Sequence, residues 1–247
     1  MEIDDASKNA HPIDSAWASS GDAAVPRHRS LTRAQIVETA VDILDSEGSA
    51  ELLTMRVLGA RLGVTSAALY WHIKTRNELL DRALDEVFAE VELPPIGDRW
   101  EDDVRRLLLS WRRTMLAHPW SPPLAGRPLL GPHVMLRIEY LQHGLVRAGL
   151  TGFTLAAATR MLADYVVGSA LTESAAQQSD QDALRAHARL RIAEHPETYP
   201  TLASSGHLDS VPPDGETMFL AVLDEMLRVV TAPEAFDRNS NHTPAKQ

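Results

Sequence analysis

Apolar residues recur at intervals of three and four along most of this chain, and no stretch alternates at every second position long enough to read as a strand. The pattern predicts an all-α protein. Ile36, Val37, Ala40, Val41, Ile43 and Leu44 form the inward face of a first helix from Arg33 to Ser46, which Gly48 ends. A second helix begins after Thr54, whose hydroxyl can cap it, and carries Val57, Leu58 and Leu62 as its stripe. Gly63 then suits a left-handed turn that a side chain would resist, and Val64 is placed to plug the gap behind it. A third, short helix is capped by Thr65 or Ser66. Leu69 and Ile73, four residues apart, share its buried face. At about 100° per residue, Ala67, Ala68 and Trp71 point outward, with Ser66, Tyr70 and His72 on the flanks. A fourth helix from Arg76 to Val91 carries Leu79, Leu80, Ala83, Leu84, Val87 and Phe88, and Pro94-Pro95 stops it.

Residues 96–235 read as helix throughout. Trp100 to His118 is amphipathic, Pro119 to Pro132 is a Pro/Gly-rich connection, and His133–Gly149, Phe153–Ala176 and Gln181–His195 are further helices. A loop from Pro196 to Pro213 precedes a last helix, Glu216 to Val230, that is apolar nearly all the way round. Such a helix must be covered on more than one side. The helix from Phe153 is rich in small residues (Ala156, Ala157, Ala158, Ala163, Gly168, Ser169, Ala170), which permit close helix approach. Residues 1–30, rich in Asp, Ser and Ala, read as a disordered arm, and residues 236–247 as a flexible tail.

Two helices joined by a tight glycine turn are the layout of a helix-turn-helix, whose second helix enters the DNA major groove. An outward tryptophan on that second helix is unusual unless something binds there, and Lys74 and Arg76 sit where a phosphate would pass. The formal charge of −10 runs against a DNA-binding role until its distribution is considered. Between Arg27 and Arg76 seven Lys/Arg face five Asp/Glu, a balance of +2, so the remainder carries −12. Absence of cysteine removes disulfides and thiolate metal sites and suits a reducing cytoplasm. No apolar run approaches the roughly 20 residues of a membrane span, and the acidic N-terminus is unlike a signal peptide.

Residues 31–91 resemble the N-terminal domain of the tetracycline-repressor family. The matching marks are Glu47-Gly48, Thr54-Met55-Arg56, Leu62-Gly63-Val64, Leu69-Tyr70-Trp71-His72 with Lys74, and Glu78-Leu79-Leu80-Asp81. The resemblance implies a three-helix DNA-binding head, a larger helical ligand-binding and dimerisation domain, a homodimer, and a small-molecule inducer. Arg56 then matches a base-reading arginine, a bidentate contact worth about 1–3 kcal/mol of discrimination. Ser66, Ala67 and Ala68 fall where the family reads bases. Tyr70, Trp71, His72, Lys74 and Arg76 match positions that pack on or bond to phosphates, and Thr54 and Thr65 are expected to bond phosphate at helix starts. Arg27 and Arg29, with Arg33, form a candidate arm for phosphates or a neighbouring minor groove. The helix from Phe153 and the last helix resemble the family's four-helix dimer bundle, and the fourth helix its signal-transmitting link.

For a ligand, the polar and aromatic groups scattered on body helices are Trp111, Met115, His118, Tyr140, His143 and Tyr165, with Phe88 approaching from the link. Arg127-Pro128 matches an Arg-Pro pair in the tetracycline repressor's inducer loop. Pro123 and Glu92 stand where that repressor carries its magnesium-coordinating and drug-contacting histidines, which argues against a metal–tetracycline inducer. No metal-ligand spacing and no cofactor motif is present. The sequence therefore points to a ligand-released homodimeric repressor on a palindromic operator, controlling an efflux or biosynthetic gene. The alternative is an all-helical enzyme or ligand-binding module without DNA binding, against which stands the lack of GxSxG, GxGxxG, P-loop or clustered carboxylate motifs.

Overall fold

The computed structural model describes residues 31–126, 131–177, 179–206, 208–209 and 214–231. Among them are ten α-helices and no strand, and none of the helices is long and apolar enough to cross a membrane.

Local chemistry sets the head. Thr32 and Gln35 form a reciprocal capping box that starts α1, Arg33–Glu47. Its inward face is Ile36, Val37, Ala40, Ile43 and Leu44, while Val41 is half-buried. Helix α2, Met55–Leu62, is capped by the Thr54 hydroxyl, which accepts from the Val57 N–H at 3.2 Å. Its buried residues are Met55, Leu58 and Gly59. Val57, expected in the stripe, is instead 38% exposed, because the buried stripe runs through Met55, two positions before it, and then Leu58 and Gly59. Gly63 ends α2 at φ 67°, a left-handed conformation that costs other residues about 1–2 kcal/mol. Helix α3, Ser66–Tyr70, is capped by Thr65. It stops before Trp71, which lies with His72 in the turn that follows.

Helix α4, Arg76–Ala89, lies on α1 through Leu79, Leu80, Ala83, Leu84, Val87 and Phe88, and also packs on α5 and α6. It therefore belongs to both head and body. The body is formed by α5 (Trp100–Ala117), α6 (Pro132–Arg147), α7 (Gly152–Gln177) and α10 (Gly215–Val230). Its core includes Val104, Leu107, Leu108, Leu141, Leu145, Leu162, Val166, Phe219, Leu223 and Leu227. Helix α8, Gln181–Glu194, has no buried residue. A short helix α9, Pro200–Ser205, occurs inside the span read as loop, started by a proline in its first turn.

Helix α10 buries one face and leaves another apolar: Met218, Val222 and Val229 are exposed. On α7, Phe153 and Leu171 are exposed beside Ala156 and Gly168. These are the surfaces that the sequence assigned to a dimer bundle.

Candidate nucleic-acid interface and ligand cavity

The turn between α2 and α3 depends on a close approach. A Cβ on Gly59 would stand 2.8 Å from the Val64 carbonyl oxygen, closer than carbon and oxygen tolerate. Leu69 and Ile73, both fully buried, then anchor α3. The outer surface consists of exposed Ala67, half-buried Ala68, Tyr70 at 47% and Trp71 at 83% exposure. Arg56, in the first turn of α2, is exposed. The Ser66 hydroxyl donates to the Met55 carbonyl at 3.4 Å, binding α3 to α2. Thr54 and Thr65 each use the hydroxyl oxygen as an acceptor for a helix N–H, which leaves their O–H available to donate. Lys74 is exposed, with Nζ 3.5 Å from the Tyr70 carbonyl. Its backbone N–H is held by Glu78 at 2.8 Å. That contact is the largest influence on the Glu78 carboxyl, and together with Arg82 it outweighs the upward push of burial and keeps the pKa below its ordinary value.

Two basic residues differ from expectation. Arg76 does not project as a phosphate ligand. Its guanidinium donates to the Leu53 carbonyl at 2.6 Å and to the Ala50 carbonyl, which also accepts from the Leu53 N–H. Arg33 lies within α1, and its Nε donates to the His72 carbonyl at 3.2 Å, so it ties α1 to the reading turn and is not part of a free arm. Arg27, Arg29 and Arg127 lie outside the described residues.

The ligand residues expected from the sequence do not gather around one cavity. Phe88 and Trp111 are core, meeting edge-to-face at 5.1 Å, and Met115 is 1% exposed. His143 faces solvent. Tyr140 is half-buried with its hydroxyl unpaired, and burial, then the Asp103 charge, raises its pKa. His118 bridges head and body, with its ring nitrogens 2.7 Å from Asp45 and 3.1 Å from Glu90. Only Tyr165 lines the largest described cavity, about 800 Å³ between α7, α8 and α10. Periodicity locates residues on helix faces but not the gaps between helices, so the set mixed core with cavity.

Sequence reasoning also missed two buried charged side chains, one on α4 and one on α5. The Asp85 carboxylate, on α4, accepts from the His133 and Val134 N–H groups at the start of α6. On α5, buried Arg112 reaches Glu173. An acid or arginine on the inward stripe of a helix was the available signal. Among the described residues, no group of three metal-ligating side chains is present.

Residues 93–232 match the family described as "Tetracyclin repressor-like, C-terminal domain". The chain belongs to the tetracycline-repressor family. An "HTH-type transcriptional regulator" of Saccharopolyspora erythraea is 40% identical over 172 residues, covering 67% of this chain and 72% of that protein. The "HTH-type transcriptional repressor DrrR1" of Streptomyces coeruleorubidus is 37% identical over 158 residues, covering 61% and 57%. The structure of ActR from Streptomyces coelicolor in complex with actinorhodin superposes with a TM-score of 0.71 at 31% identity, covering 82% of this chain and 96% of ActR. The chain is thus an all-helical transcriptional regulator of this family.

Proposed function

We propose that this regulator is a homodimeric repressor that holds a palindromic operator in the cytoplasm and lets go when a small amphiphilic ligand enters the body. The observation that carries the reading is the outer face of α3 and its following turn. Trp71 is exposed at 83%, small Ala67 and Ala68 keep the surface thin, and Arg56 and Lys74 flank it. Arg56 reads a base edge, while Ser66, Ala67 and Ala68 set the preference by allowing the backbone close to the groove. Thr54, Thr65, Tyr70, Trp71, His72 and Lys74 hold phosphates and fix the register. Two such heads, spaced by the α7 and α10 faces, address half-sites about 34–36 Å apart.

ActR was crystallised with actinorhodin and DrrR1 is named a repressor, which supports repression of a biosynthetic or efflux gene that a small molecule relieves. Arg27 and Arg29 carry charge suited to phosphates or a neighbouring minor groove. A gel shift on a palindromic fragment from the gene's own upstream region tests the reading. Wild-type protein is expected to bind it and Arg56→Ala to lose most of that binding. Normal binding by the variant would remove Arg56 from the reading role.

A further inference from the structure

The cavity between α7, α8 and α10, about 800 Å³, is large enough for several fused rings. Tyr165 and Phe219 build one wall, their rings stacked 5.1 Å apart and 2° from parallel. The Tyr165 hydroxyl donates to the Phe219 carbonyl at 3.1 Å, so the wall is fixed. The floor is ionic. Arg112 of α5 is 2% exposed. Its guanidinium reaches the Glu173 carboxylate, donates from Nε to the Ser169 hydroxyl at 3.1 Å, and lies over the Phe219 ring at 5.2 Å. Ser169 and Glu173 face the cavity, and Arg112 lies behind them.

Two sources of positive potential meet where the Glu173 carboxylate rests, the Arg112 guanidinium and the start of α10. Arg112 cannot shed its proton, and a buried guanidinium requires an anion. The Ser169 side chain stands beside it. The carboxylate also presses on the first turn of the 16-residue α10, so close that a Cβ on Gly215 would collide with it, and a helix N-terminus favours negative charge. The place is thus built for a carboxylate, and Glu173 fills it from the cavity wall. With its side chain 28% exposed, Glu173 can turn outward, toward a rim that Asp182, Arg185 and Arg189 of α8 supply.

We propose that this cavity takes a planar aromatic ligand bearing a carboxylate, which replaces Glu173 on Arg112 while its rings lie along the Tyr165–Phe219 wall. The inference gives the ligand-released reading a chemical class and rests on that reading for its regulatory consequence, not for binding itself. A neutral aromatic of the same shape leaves the Arg112–Glu173 pair in place and gains only the apolar contact.

Calorimetry on the full chain with anthraquinone-2-carboxylate and its neutral carboxamide tests the class. The carboxylate is expected to bind more tightly than the carboxamide, but by less than the about tenfold that a hydrogen bond to a charged group implies, because it must displace Glu173 from Arg112. Glu173→Gln removes the competing anion. It should tighten the carboxylate about tenfold and leave the carboxamide unchanged. Arg112→Gln should erase the difference between probes, with a thermal melt checking that it folds; if it does not, the Glu173→Gln arm decides alone. Equal affinity for both probes, binding of neither, or weaker carboxylate binding by Glu173→Gln overturns the proposal. If the carboxylate binds as expected but leaves an operator complex intact in a gel shift, the ligand class stands and the release reading falls.

Discussion

His118, at the end of α5, is joined through Nδ1 to the Asp45 carboxylate of α1 at 2.7 Å, so a body residue is held by the DNA-binding head. The same Asp45 oxygen accepts from the Trp120 indole at 2.6 Å, and Glu90, just past α4, takes the other ring nitrogen. Burial alone would lower the imidazole pKa. The hydrogen bonds and then the charges of Asp45 and Glu90 outweigh it, and the net shift is upward. A histidine with a raised folded pKa contributes its stability in full below the unfolded value, about 6.5, and loses it as pH rises through the folded value. Thermal melts of wild type and His118→Gln should therefore differ most near pH 6, by about 1–3 kcal/mol, and converge at alkaline pH. A pH-independent gap would show that the imidazolium is not what holds the contact.

Asp85 and Arg137 fasten α4 to α6 at both ends. Asp85 accepts from the His133 and Val134 N–H groups at 3.1 and 3.0 Å, taking two of the orphan donors at the start of α6. Arg137, 5% exposed, donates to the Ala89 and Val91 carbonyls at 2.8 and 2.7 Å, where α4 ends. Loss of either buried partner leaves helix-end groups unpaired, so Asp85→Ala and Arg137→Met should each cost about 1–3 kcal/mol. Because both act on one helix pair, denaturant melts of the double variant should show less than the sum of the single losses. Strict additivity would mean that the two ends are independent.

Gly59 determines whether α2 and α3 can meet. Its absent Cβ would stand 2.8 Å from the Val64 carbonyl oxygen, and backbone is on the other side of that contact, so nothing flexible can yield. Gly59→Ala should destabilise the chain by about 1–3 kcal/mol, as overpacking does, and reduce operator binding with it. Unchanged melting would mean that the turn relaxes freely.

Head and body differed in how far they could be read from the sequence. In the head, caps at Thr54 and Thr65, the left-handed Gly63 and the buried Leu69–Ile73 pair all act within a few residues of one another, and local pattern located them. Trp71 was legible for the same reason, since a large apolar side chain off the buried stripe has nowhere else to go. The carbonyl bonds of Arg76 were not legible because its partners, Ala50 and Leu53, lie more than twenty residues upstream, and a free cation looks the same in sequence as one that caps carbonyls. The scatter of the body's expected ligand residues has a related reason. Phe88, Trp111 and Met115 lie on inward stripes, but whether an inward stripe meets another helix or an empty space depends on helix crossing, which no periodicity encodes. Arg112 carries the same lesson from the other side. Its charge on an apolar face was visible, but the Glu173 that answers it lies 61 residues away.

Trp71, Lys74 and Arg76 separate DNA contact from folding within six residues. Trp71 at 83% exposure adds almost nothing to the core, so Trp71→Ala should leave the melting curve within about 0.5 kcal/mol of wild type. Operator affinity should nonetheless fall, because the ring packs on the backbone of the duplex in the proposed complex. Lys74→Ala should likewise fold normally, and its salt dependence should lose about one unit of log–log slope, the mark of a single phosphate contact. Arg76→Ala is expected to behave in the opposite manner. It strands the Leu53 carbonyl and removes the second bond to the Ala50 carbonyl, which should cost about 1–3 kcal/mol of stability, while the salt slope of whatever binding survives stays as in wild type. A stable Arg76→Ala with a reduced slope would return Arg76 to the phosphate contacts and make its carbonyl bonds incidental.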